Sequence, residues 1–398
     1  MKYRVDANLK TELKKFGSKD WNECYHCGNC TAVCPLTENN FLFPRKSIRQ
    51  AQMGLKTKLA SNLDPWLCYF CGDCSKTCPR NANPGEIMMT LRRYMTSVYD
   101  WTGLSKKFYT SKTWEIAFIA VMFIAIIAVF GVFLPPARDI ISNASKYIDP
   151  VSGGVLINSL VPGLEGHQFV KIIEIGDLSM AGIVAALLIS NIFRMFYFTI
   201  IRDKSVRVPF YTYFTQAWQL LFNFISQPKF SKCDNKQYWF GHFLLMSGYV
   251  IMFTVIVALL PKFQVEEVFP WYNWQRILGY YATFGLLFFI IYSIIGRIRR
   301  NEIKFKFSHA SDWLFLIMLG LTTVTGILIH FFRIGGLPVA TYIIYVIHLA
   351  VLVPMILIEV PFSKWSHLAY RPFAVYFSKL KKAAYKLQTQ QSELSTAA

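Results

Sequence analysis

Eight of the nine cysteines fall into two copies of one run, Cys24-x2-Cys27-x2-Cys30-x3-Cys34-Pro35 and Cys68-x2-Cys71-x2-Cys74-x3-Cys78-Pro79. Three thiolates spaced two residues apart can grip three irons of one cube, and a fourth set off before a proline reaches the neighbouring cube. On that crossing, Cys24, Cys27, Cys30 and Cys78 hold one [4Fe–4S] cluster, and Cys68, Cys71, Cys74 and Cys34 the other. Zinc ribbons pair Cys-x2-Cys without the third cysteine or the x3-Cys-Pro ending. Disulfides would need an oxidising compartment and rarely repeat so tightly. The chemistry expected is electron transfer.

Histidines form the second set. Five of seven, His242, His309, His330, His348 and His367, lie in or at the ends of long apolar stretches. An ionisable side chain inside a membrane span is costly and marks function. A b-type haem needs two neutral imidazoles at equal depth on facing helices.

The elements that position these groups are visible in composition. Residues 1–112 are polar, with 18 Lys/Arg against 9 Asp/Glu, and the apolar excess follows. Amphipathic helices are predicted from Pro44 to Leu55 and from Pro84 to Tyr99, the latter with Ile87, Met88, Leu91, Tyr94, Met95 and Val98 on one face. Six stretches near the ~20 residues that span hydrocarbon follow, at about 114–134, 172–200, 238–260, 274–297, 311–332 and 338–361. The expected fold is all-α: a helical two-cluster ferredoxin domain (1–112), a six-helix transmembrane haem b domain (113–370) and a cytoplasmic tail (371–398), mobile from about 383. Between spans, Phe210–Gln227 reads as a helix lying flat on the inner leaflet, in contact with lipid.

Met1 to Lys15 is charged and lacks the apolar core of a signal peptide, so the head is expected in the reducing cytoplasm. Connections 202–237, 297–310 and 362–398 then lie inside and carry 6, 5 and 6 Lys/Arg; those outside, 135–170, 261–273 and 333–337, carry 2, 1 and 1. This positive-inside bias accounts for most of the formal charge of +19 without nucleic-acid binding, and puts both termini in the cytoplasm.

Depth pairs the histidines. His242 and His367 match at the inner side, the expected inner haem pair. His348 lies 19 residues before His367, about 28 Å higher on a continuous helix, and pairs roughly with His330 for an outer haem. His309 is left over, as a solvated or headgroup-contacting residue. Gly241, Gly248, Gly279, Gly285 and Gly326 could admit a porphyrin or pack helices. Arg194 could meet a haem propionate or snorkel. Glu174, Asp177, Glu266, Glu267 and Arg276 gather at the outer face, where a quinone would exchange protons, although loop solvation explains them as well. Cys233 is unpaired and read as inert. There is no G-x-G-x-x-G after a strand, no P-loop, no Cys-Cys-Gly motif and no covalent-haem C-x-x-C-H. The sequence assigns no catalytic residue and no quinone site.

The head resembles the C subunit of heterodisulfide reductases. The body resembles the nitrate-reductase gamma-type cytochrome b, through Pro361-Phe362-Ser363-Lys364-Trp365-Ser366-His367-Leu368-Ala369-Tyr370-Arg371-Pro372. The fusion, with one extra leading span, is similar to C subunits of quinone-interacting membrane-bound oxidoreductase complexes (Qmo). That resemblance implies two b haems, menaquinone as substrate, and flavin-containing partners like the heterodisulfide reductase A subunit. Those partners would exchange electrons with adenylylsulfate reductase in sulfur metabolism. By position, His242 and His367 match the inner pair and His348 one outer ligand. The second outer ligand falls at Met252, so His330 replaces it, Met252 ligates, or the outer haem is absent. Other readings are a membrane subunit in a heterodisulfide- or sulfite-linked complex, a membrane-tethered iron–sulfur sensor, and a cation transporter with an electron-transfer head.

Overall fold

The structure, a computed structural model, describes residues 5–18, 20–38, 42–133, 137–160, 166–203, 206–228, 230–232 and 235–397. Cys233 lies outside them. Among the described residues no strand forms, and one antiparallel bridge joins Ile148 to Val155. The head is a set of short helices packed on one long one, Pro84–Tyr99. That helix starts at a proline whose fixed φ suits a first turn, and it buries Ile87, Met88, Leu91, Tyr94 and Met95. Against it pack Leu9, Leu13, Phe16, Trp21, Ile48 and Trp66, all without exposed surface. Each fully buried side chain of this kind contributes about 1.5–3 kcal/mol.

Six helices are long and apolar enough to cross a membrane: Lys112–Gly131, Val170–Ile201, Lys236–Ala258, Trp274–Arg299, Ala310–Ile334 and Pro338–Phe362. They match the stretches read from hydropathy within a few residues, and the chain reads as a multi-pass membrane protein. The third and fourth spans touch backbone to backbone. A Cβ on Gly248 would stand 2.8 Å from the Ala282 carbonyl oxygen, and one on Gly285 2.6 Å from that of Leu244. These two glycines pack helices. Gly326 instead faces His348, and Gly279 meets nothing within 4 Å. The first span docks on the sixth, where the Ser363 hydroxyl donates to Glu115 Oε1 at 2.6 Å. The sixth widens into a π-turn, Met355–Glu359, directly after Pro354. A proline removes one ladder donor and clashes with the preceding turn, which such a turn absorbs.

Three expectations change. The segment 210–227 forms two helices, Phe210–Thr215 and Trp218–Ser226, rather than one. Both expose apolar residues at helical spacing, with Phe210, Phe214, Trp218, Leu221 and Ile225 more than half exposed. The tail expected to be mobile from about 383 is helical from His367 to Ala397. Its Ala, Leu, Lys and Gln content favours helix, and Tyr370, Ala374, Phe377 and Leu380 enter the same core as Leu9 and Trp66. Arg194, read as a propionate partner or a snorkelling residue, donates from Nε to the Tyr99 carbonyl at 2.8 Å and from Nη2 to that of Val98 at 3.2 Å. It caps the open carbonyls of the head's long helix, where a cation also meets the negative end of the helix dipole.

Candidate redox sites

The two cysteine runs fold as conformational copies. His26 and Phe70, each two residues after the first cysteine, hold φ of 60° and 55°. Gly28 and Gly72, each directly after the second, hold φ of 96° and 93°. Side chains rarely adopt such backbone, so glycine opens the one-turn helices Asn29–Ala32 and Asp73–Lys76 that carry the third cysteines. Each run thereby takes the same turn at its cysteines, and backbone amides turn toward sulfur: Phe70 N–H points at Cys68 Sγ and Ala82 N–H at Cys78 Sγ, both at 3.4 Å.

The fourth cysteines cross. Cys78 is an electrostatic neighbour of Cys24 and Cys30, whereas Cys34 feels Cys68 and Cys71 more than Cys30, and Cys74 feels Cys68, Cys71 and Cys34 more than Cys30. Cys34, Cys68, Cys71 and Cys74 line one small cavity, roofed by Phe70, Phe43 and Met88. No three of the described acidic, histidine or cysteine side chains converge on a single-ion position. Burial pushes the Cys34 thiol up to about 12 and Cys74 well above its ordinary value, and neighbouring thiols add to both. Thiols so placed become thiolates when a cationic centre holds them. The donor set therefore fits iron–sulfur clusters.

The loop bearing Cys68 is clamped from both sides. Arg92, on the long helix, donates to the carbonyls of Pro65 and Cys68. Arg371, beyond the sixth span, donates to the Leu67 carbonyl at 3.3 Å and sits 3.7 Å over the Tyr69 ring.

His242 and His367 line a second, larger cavity with residues of the head, of the third to fifth spans and of the segment that follows the sixth. They are electrostatic neighbours. The His367 ring is oriented by its Nδ1, 2.7 Å from the Lys364 carbonyl, which leaves Nε2 as the acceptor. Burial holds His367 well below the usual histidine range and keeps it neutral, as a metal ligand must be. His242 Nδ1 is buried without a partner. A buried polar atom left unpaired costs roughly 1–3 kcal/mol, and a bound group would remove that cost. Arg92, Arg93, Arg297, Lys304, Lys364 and Arg371 line this cavity, against the single acid Asp312. Two imidazoles under a cationic rim fit a haem and its propionates.

In the wall of this cavity, buried ions join the head to the fifth span and to the segment after the sixth. Arg93 Nη1 bonds Glu86 at 2.9 Å, its Nη2 lies 3.4 Å from Asp312, and Lys364 pairs with the other Asp312 oxygen. None of these four was singled out in the sequence. The signal was present in a glutamate and an Arg-Arg pair on the head's long helix and in one acid in the first turn of a span.

The outer histidines sit at different levels. His348 Nδ1 lies 2.8 Å from the Thr325 hydroxyl, five residues before His330 and about 7 Å along the helix. His330 is held by Arg276, 2.8 Å from Nδ1, and by the Tyr280 hydroxyl, 3.1 Å from Nε2. Met252 packs in the apolar core between spans. His309 begins the fifth span as its cap: its Nδ1 accepts from Ser311 N–H, and its own N–H donates to Asp312. In the connection between the third and fourth spans, Glu266 is tied to Asn158 and Ser159, and Arg333 donates to the carbonyls of Val265 and Glu266.

Residues 20–82 match the family described as the 4Fe-4S dicluster domain. The chain is 34% identical over 96 residues to a protein of Archaeoglobus profundus that is like the C subunit of heterodisulfide reductase, covering 24% of this chain and 51% of that protein. It is 42% identical over 69 residues to the C2 subunit of the H(2)/formate:CoB-CoM heterodisulfide,ferredoxin reductase of Methanococcus maripaludis, covering 17% and 37%. The chain thus spans about half or less of the length of these curated relatives. No solved structure matches.

Proposed function

We propose that this protein is the membrane electron-transfer subunit of a quinone-linked oxidoreductase complex. Two [4Fe–4S] clusters, on Cys24/Cys27/Cys30/Cys78 and Cys68/Cys71/Cys74/Cys34, exchange electrons with a b haem between His242 and His367. The haem connects to menaquinone, and the clusters to a cytoplasmic flavoprotein like the heterodisulfide reductase A subunit, in sulfur-compound metabolism of the Qmo type. The observation that carries this reading is a shared wall: Tyr69 and Phe70, between Cys68 and Cys71, line both the cysteine cavity and the histidine cavity. Haem and clusters divide the two-electron chemistry of a quinone into single steps. His348, beside Gly326 and Thr325, is the residue best placed for an outer haem.

Redox-titrated optical and EPR spectra of the purified protein test this. The expected result is a low-spin b-type spectrum and two cubane signals; an alkaline pyridine assay without haem would reject it. A second reading, the membrane subunit of a heterodisulfide-type complex, draws support from the names of the relatives. A co-purifying partner with a Cys-Cys-Gly protein instead of a flavoprotein would favour it.

A further inference from the structure

We propose that the two cysteine sockets work in a fixed order, and that Tyr69 and Phe230 make the contact between the inner socket and His242. The inference rests on the haem reading above and adds the route. The socket of Cys34, Cys68, Cys71 and Cys74 faces the membrane body. A Cβ on Gly72 would lie 3.8 Å from Lys304 N in the connection before the fifth span, and Arg371 clamps the Cys68 loop from beyond the sixth. The socket of Cys24, Cys27, Cys30 and Cys78 faces outward, with Cys27 exposed and Tyr25 69% exposed beside it.

From Tyr69 the aromatic contacts run in one direction. Tyr69 stacks on Phe230, centroids 4.8 Å apart and planes 15° apart. Phe230, 2% exposed, meets the His242 ring edge-on at 5.5 Å. Four consecutive groups (Cys68, Tyr69, Phe230 and His242) thus bridge the two cavities through van der Waals contact. Phe230 belongs to neither cysteine motif nor a span, and the Arg371 guanidinium over the far side of Tyr69 fixes the stack. The step carries one electron and forms or breaks no bond. The inner cluster is oxidised as the iron between the histidines is reduced, or the reverse, while the outer cluster exchanges with a soluble one-electron partner.

The test uses the full-length, cluster-loaded protein in detergent. A soluble dysprosium chelate should accelerate the EPR relaxation of the cluster that remains in Cys71→Ala several-fold more than that of the cluster that remains in Cys27→Ala. The opposite order would overturn the assignment whether or not haem is present. For the contact, rapid mixing should show electron equilibration between haem and clusters slowed several-fold in Tyr69→Leu and Phe230→Leu, with midpoint potentials unchanged. Tyr69→Phe and Phe230→Tyr should restore it. Equal rates in all four variants would reject the route, and a missing haem band would instead reject the reading on which it rests.

Discussion

Arg93 in the head and Asp312 in the first turn of the fifth span stand 3.4 Å apart, both about 95% buried. With Glu86 and Lys364 they form the charged bolt between the two parts of the molecule. Breaking a buried pair from one side strands the other charge at a cost of about 3–5 kcal/mol. Arg93→Met should therefore loosen the head, lower the unfolding temperature and open the 100–111 connection to protease. A wild-type cleavage pattern would show that the bolt does not hold the head.

Crossing of the fourth cysteines predicts a specific spectral result. Cys78→Ala should perturb the EPR signal that Cys27→Ala removes, and Cys34→Ala the one that Cys71→Ala removes. Iron content should fall by roughly half in each single variant, since each cube carries half the iron. Uncrossed pairing would give the reverse correspondence.

Haem ligation separates the histidines. His242→Ala and His367→Ala should each abolish the inner b-type signal, whereas His309→Ala should leave the spectrum intact and cost about 1 kcal/mol of stability as a lost cap. His348→Ala should remove a second, outer b-type component, and an unchanged spectrum in that variant would reject an outer haem there.

Arg194→Ala should lower stability by about 0.5–1 kcal/mol through the lost C-terminal cap and leave haem potentials unchanged. A propionate partner would shift a potential, so redox titration of this variant distinguishes the two roles.

Gly285→Val should force the third and fourth spans apart, where Leu244 already leaves no room for a Cβ. Overpacking of this kind costs about 1–3 kcal/mol, measured as thermal stability in detergent, and Gly279→Val should cost little.

Much of this architecture was legible in sequence because its signals are local. Cys24–Cys34 and Cys68–Cys78 carry fixed spacings, and hydrophobic length located the spans to within a few residues. The His242/His367 cavity followed from depth, which the topology supplies. What escaped was non-local. Arg93, Asp312 and Lys364 are far apart in the chain, and each alone reads as a solvated charge. Phe230 is one of 34 phenylalanines, and only tertiary contact sets it between Tyr69 and His242. Arg194 was read as a propionate partner or a snorkelling residue, but its partners are carbonyls of a helix 95 residues earlier.

The helix that begins at His367 returns Tyr370, Phe377 and Leu380 to a core begun by Leu9 and Leu13. Domains ordinarily complete their packing in the order in which they emerge from the ribosome. Here the head must wait for all six spans to be synthesised before its last wall arrives. Closure of the head is thereby tied to the last part of the chain, and a chain that stops before His367 leaves Leu9 and Leu13 without that wall.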